Sequence, residues 1–258
     1  MKKLSIIFAI TAGIFLIQAC EKDKPTPTPT PTSSTTKMHI ELQPVGESDH
    51  EDLVLNQMYL NANGDSVSFS EVRYWLSNIE LVREDGSVWA EPNSYRLIER
   101  SALNKREEIM LEVPNGNYKA IRYSIGVDAD HNSSLDSVKG ELSPNVGMSW
   151  TWATGYIFFK SEGHFYNPNT MQRELWQYHI GMNANYKQVD LAFPAPVNLT
   201  GEKELHMHAV LHTLDLFSQP NVLHPIDNPV LKMMPADKTA DAAENYSSAF
   251  ELHHLMLE

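Results

Sequence analysis

Residues 109–123 read Ile109-Met110-Leu111-Glu112-Val113-Pro114-Asn115-Gly116-Asn117-Tyr118-Lys119-Ala120-Ile121-Arg122-Tyr123. On both sides of Pro-Asn-Gly-Asn the apolar residues recur with period two, which puts them on one face of an extended strand. Asn and Gly tolerate the backbone angles of a tight reversal, so the four central residues read as a turn. The same rhythm runs outward through the chain: Met38-His39-Ile40-Glu41-Leu42, Val72-Arg73-Tyr74-Trp75-Leu76, Ile79-Glu80-Leu81-Val82, Leu175-Trp176-Gln177-Tyr178-His179-Ile180, Val189-Asp190-Leu191-Ala192-Phe193 and residues 204–211. Turn clusters such as Asn63-Gly64-Asp65, Glu84-Asp85-Gly86 and Asn167-Pro168-Asn169 separate them. About ten short strands with such turns predict a mostly β fold, an antiparallel β-sandwich or open barrel with long loops. Helix signals are few. Residues 212–218 offer one or two turns, and the Ala-rich stretch 236–249 offers one helix.

The composition is 42% hydrophobic and 21% charged, which is ordinary for a folded domain and excludes disorder along the whole length. A net charge of −13 repels phosphate backbones, so nucleic acid is excluded as a partner. The single Cys excludes a disulfide framework and every multi-cysteine metal site. That Cys is Cys20. Before it stand Lys2 and Lys3, an apolar run over residues 4–17, and Leu16-Ile17-Gln18-Ala19. A small residue just before a cysteine, after an apolar run too short to span a bilayer, is the pattern of a bacterial lipoprotein signal. Residues 1–19 are therefore expected to be a cleaved signal peptide and Cys20 the lipidated N-terminus. Alternating Pro-Thr over residues 25–32 cannot build a helix or a sheet core, because every second residue lacks a backbone donor. Residues 20–37 thus read as an anchor with a semi-rigid spacer and residues 38–258 as the folded domain. The expected address is the outer membrane, with the body facing the periplasm or the cell exterior and only its lipid in the bilayer.

Signatures of catalysis are missing. The chain has no Gly-x-Ser-x-Gly, no phosphate-binding glycine loop and no His-Glu-x-x-His, so a non-enzyme is expected. Histidine, by contrast, is abundant, with eleven residues. His206 and His208 lie two apart in a predicted strand and share a face, with His212 in the same parity. Neutral imidazoles at that spacing suit copper or zinc. The competing reading is a solvent-facing strand whose polar positions happen to be His. His253 and His254 are adjacent, so on a regular strand they face opposite ways and at most one joins a shared site. In the loop after Gly126, Asp128, Asp130, Asn132 and Asp136 recur at even spacing, which suits calcium, although the positions where a calcium loop wants Gly and Glu hold Ser133 and Lys139. A plain Asx-rich turn explains the same residues. Trp150 and Trp152 share a face if extended and could line a pocket.

Several pieces together resemble the MbnP-like domain family, named for the copper-binding protein of methanobactin systems. They are Tyr74-Trp75-Leu76-Ser77-Asn78-Ile79-Glu80-Leu81, Ile125-Gly126-Val127-Asp128 with His131-Asn132, Gly147-Met148-Ser149-Trp150-Thr151-Trp152-Ala153-Thr154-Gly155-Tyr156 and Tyr178-His179-Ile180-Gly181. The resemblance implies an exported β-sandwich-like domain. In some relatives histidines and an oxidised tryptophan hold copper, and a di-haem peroxidase-like partner performs the oxidation. Carried over residue by residue, it makes His131 and His179 the metal ligands and Trp150 and Trp152 the tryptophan pair. A third ligand would come from His206, His208, His253 or His50. The expected function is copper binding, storage or acquisition by a lipoprotein. The alternative is a metal-free surface module that binds protein or glycan.

Overall fold

The computed structural model describes residues 34–135, 140–150, 155–232 and 237–258, all within the compact unit Ser33–Glu258. The signal stretch, Cys20, the Pro-Thr repeats, Asp136 and Trp152 lie outside the described residues. In chain order the strands are β1 Thr35–Val45, β2 Tyr59–Leu60, β3 Ser66–Arg83, β4 Val88–Ala90, β5 Tyr95–Ser101, β6 Lys105–Arg106, β7 Glu108–Pro114 and β8 Gly116–Ile125. They continue with β9 Ile157–Asn167, β10 Gln172–Gly181, β11 Lys187–Leu199, β12 Leu205–His212, β13 Val230–Lys232 and β14 Phe250–Leu257. Two helices complete the set, the single turn α1 Ala129–Asn132 and α2 Asp237–Ser248, and Thr213–Phe217 forms a 3₁₀ turn.

The expected β architecture is what the chain adopts, as two mixed sheets that do not close into a barrel. The smaller has the order β14-β12-β1-β7 and the larger is built on the path β11-β8-β3-β9-β10-β13. Two pairings depart from the antiparallel expectation: β1 with β12 and β10 with β13 are parallel. Both join strands far apart in sequence, and no short-range turn signal could announce them. The first strand also begins at Thr35, three residues before the expected start of the domain, because Thr35 and Thr36 pair with Pro114 and Val113.

β3 organises the large sheet. Val72 pairs with both Arg100 of β5 and Ser161 of β9, and Leu81 pairs with both Trp89 of β4 and Ile121 of β8. A strand this long changes partners midway, and the change falls at Asn78, which sits at φ 50 where the ladder shifts register. The period-two pattern then does its work: Met38, Ile40 and Leu42 of β1, Ile109, Leu111 and Val113 of β7, and Tyr74 and Leu76 of β3 all point into one core between the sheets. Trp176 sits fully buried there against Phe69, Tyr178 and Phe217, and its indole N–H donates to the Ser68 carbonyl at 3.1 Å. α2 adds Ala242, Ala243 and Tyr246. A second apolar cluster, with Trp75, Tyr95, Met148, Trp150, Tyr156 and Phe158, is built on the odd-numbered residue of β3 between Tyr74 and Leu76 and thus on the opposite face of that strand.

Gly163 of β9 shows how closely β3 and β9 approach. A Cβ there would lie 1.7 Å from the Ser68 carbonyl oxygen, which is backbone and cannot swing away. Gly163→Ala is expected to cost at least about 2 kcal/mol and to lower the melting temperature in scanning fluorimetry by roughly 4–8 °C. Leu103→Ala, at a side chain 91% exposed, should leave it unchanged within about 0.5 kcal/mol.

Candidate functional site

The motif-bearing pieces meet on the outer side of the large sheet. Asp128 caps α1, accepting from the His131 backbone N–H, and its carboxylate takes the His131 ring Nδ1 at 2.8 Å and the Tyr95 hydroxyl. Burial and that carboxylate push the Tyr95 hydroxyl far above the ordinary phenol range. Burial alone would raise Asp128, but the hydrogen bonds from Tyr95 and His131 outweigh it and hold it below its usual range. Asn132 accepts from the Tyr156 backbone N–H at 2.8 Å and donates to Asn183. These residues, with Trp150, Gly155 and Met182, line a cavity of about 310 Å³. The indole of Trp150 closes over Gly181, where a Cβ would meet it at 3.2 Å.

His179 holds a different carboxylate. Its Nε2 lies 2.6 Å from Glu162 across the β9–β10 ladder, beside Lys160. Three strand spacings, about 14 Å, separate β5, which carries Tyr95, from β10. Neither His131 nor His179 belongs to a three-donor cluster among the described residues. Two of the four residues read as calcium ligands have their side-chain oxygens engaged within the fold: Asp128 by Tyr95 and His131, and Asn132 by Tyr156. Trp176 is a core residue.

The three-donor cluster of the described residues lies on the small sheet. His39, Glu204 and His206 each offer one ligand atom, and all three atoms lie within 4.8 Å of one another. The strand register makes the cluster: β1 and β12 run parallel with His39 opposite His206, and their rings stack at 4.7 Å, 7° from parallel. Glu204, just before β12, meets His39 Nε2 at 3.0 Å and Lys37 at 3.3 Å. The hydrogen bond from Lys37, with smaller help from its charge and from His39, holds the Glu204 carboxyl below its usual range and keeps it an anionic donor. Glu258 approaches His206 at 3.7 Å.

The expectation that His206 and His208 share a face holds, but they fall in adjacent rows of the sheet. One row across β7, β1, β12 and β14 reads Met110, His39, His206, Met256, and the next reads Glu108, Glu41, His208, His254. A cavity of about 340 Å³ is lined by both imidazole rows and Met256. The parity argument for His253 and His254 is overturned. The ladder slips between His208 and Ala209, leaving His253 as an extra residue, and both rings stand within 6.0 Å of His208. His39 and Glu204 were not among the candidate residues read from the sequence. His39 was visible as an outward position of the first strand, but its parallel alignment with His206, so distant in the chain, carries no local signal.

Burial pushes His179 and His208 below the ordinary imidazole value of 6.5, although Glu162 opposes this at His179 and Glu41 opposes it at His208. The folded chain then binds fewer protons than the unfolded chain near that value. Their contribution to stability is complete above about pH 6.5 and is lost as the pH falls below it. For metal-free protein, the urea midpoint should decline from pH 7.5 to 5.5, and His179→Gln with His208→Gln should flatten that decline.

A search of curated protein sequences finds no match. Among solved structures, MbnP from Methylosinus trichosporium matches with a TM-score of 0.50 at 12% identity, covering 86% of this chain and 99% of that one, a likeness of fold. The MbnP family model matches residues 35–233, from the first residue of β1 to just past β13. The chain belongs to the MbnP family.

Proposed function

We propose that this chain is an exported lipoprotein that binds a copper ion through His39, Glu204 and His206, for storage or acquisition rather than catalysis. The observation that carries the reading is the convergence of two imidazoles and one carboxylate within 4.8 Å on a rigid sheet. Two nitrogens and an anionic oxygen are donors that cupric ion takes readily. No thiolate competes, since the one Cys is Cys20. The acidic balance of the chain, −13, attracts cations to the surface. His131 and His179 serve the other face in this reading. Each orients a carboxylate, His131 in the loop that carries α1 and His179 across the β9–β10 ladder. A haem-peroxidase-like partner that oxidises Trp150 would act on the large sheet, away from the imidazole rows. The anchor is a lipid on Cys20, which keeps the domain at the outer membrane in the periplasm or outside the cell.

Two measurements test this. Untagged full-length protein titrated with cupric ion should bind with a dissociation constant below about 1 μM, and His39→Ala with His206→Ala should remove one bound equivalent. Binding weaker than that, or unaltered by the double substitution, ends the copper reading. For the anchor, Cys20→Ser should move the chain from the membrane fraction to the soluble fraction and abolish labelling by a palmitate analogue. Labelling that persists rejects Cys20 as the acceptor.

A further inference from the structure

We infer that the small sheet carries a second metal site, independent of the first, in which His208, His253 and His254 take one borderline divalent ion. This goes beyond the copper site proposed above and does not depend on it. An imidazole ligated at about 2.0–2.1 Å has its ring centroid roughly 3.2 Å from the metal. Two such rings at tetrahedral corners stand about 5.2 Å apart, and at adjacent square-planar corners about 4.5 Å. His208 and His253 stand at the tetrahedral spacing already, with centroids 5.3 Å apart, while His208 and His254 at 6.0 Å and His253 and His254 at 4.1 Å reach it once the His254 ring swings by about an ångström. His50 adds a fourth imidazole 5.1 Å from His253.

The bulge at His253 is what makes the group. A regular strand would send that ring to the core face, whereas the extra residue turns it outward beside its neighbour. His253 is partly exposed and His254 exposed, so both rings are free to rotate a nitrogen toward His208. His208 is held in place. Its Nε2 meets the Gln43 carboxamide oxygen at 2.7 Å, and the Gln43 amide nitrogen is itself fixed by Asp52 at 2.5 Å. A carboxamide oxygen only accepts, so the proton sits on Nε2 and Nδ1 presents its lone pair. That is the way a neighbouring group orients a ligating histidine. Glu41, opposite His208 in the register, brings negative charge to the same row. His206 and His208 are two residues apart on one strand, so the two sites lie about 6.6 Å apart, room for two separate ions.

The test uses zinc ion alone, counted by native mass spectrometry on the untagged full-length chain, with and without His39→Ala and His206→Ala. One zinc equivalent should remain in that double variant. Adding His253→Gln and His254→Gln, both surface changes, should remove it or weaken it at least 10-fold, and Gln43→Ala should weaken it about 10-fold. Imidazole nitrogen resonances of His208 should shift at Nδ1 on zinc addition. If the first double variant does not fold, the wild type and His253→Gln/His254→Gln are compared directly and should differ by one ion. Equal zinc counts and affinities with and without His253 and His254 overturn the second site. Loss of a zinc ion with those two, but none with His39 and His206, keeps this site, and the cupric titration above decides the first separately.

Discussion

The parallel, in-register pairing of β1 with β12 is the constraint on which the imidazole face depends. It places His39 opposite His206 and Glu41 opposite His208, joining segments some hundred and sixty residues apart. A shift of one residue would turn every histidine of β12 toward the core and every apolar residue outward. The buried face forbids that shift: Met38, Ile40 and Leu42 on one strand and Leu205, Met207, Ala209 and Leu211 on the other fill the core between the sheets. The donors are thus positioned by hydrophobic burial on the far side of the same strands. The cost of bringing two imidazoles and a carboxylate together is met in folding, before any ion arrives.

The two faces of the molecule surround their histidines differently. Around α1 and across β9 and β10, histidines satisfy carboxylates one at a time beside an aromatic, apolar cluster. On the small sheet, imidazoles neighbour imidazoles, with carboxylates at the rim and thioethers of Met110 and Met256 flanking the row. His131 and His179 each hold a half-buried carboxylate and have no imidazole neighbour among the described residues. A row of partly exposed rings with few partners is a surface that gains from a cation.

How much was legible follows from the range of the interactions. Residues 109–123 announced β7, the turn and β8 because alternation and turn chemistry are local. The Ala-rich stretch announced α2 and residues 212–218 the 3₁₀ turn for the same reason. His206 and His208 were readable as one face. Their division into two groups was not, because it depends on what lies on the neighbouring strands: His39 and Glu204 for one, His253 and His254 for the other. The bulge that turns His253 outward has no signature in an adjacent His-His pair. The parallel pairings could not be read either, since nothing in β1 names β12 as its neighbour.

β1 is an interior strand, hydrogen-bonded along both edges to β12 and β7. Traction transmitted through the residues before Thr35 would load those two ladders lengthwise, in shear, where many bonds must break together rather than one after another. A body tethered from that end would resist mechanical extraction. Should it yield, the first strand to leave is the one that carries His39, so rupture would also dismantle the cluster of His39, Glu204 and His206.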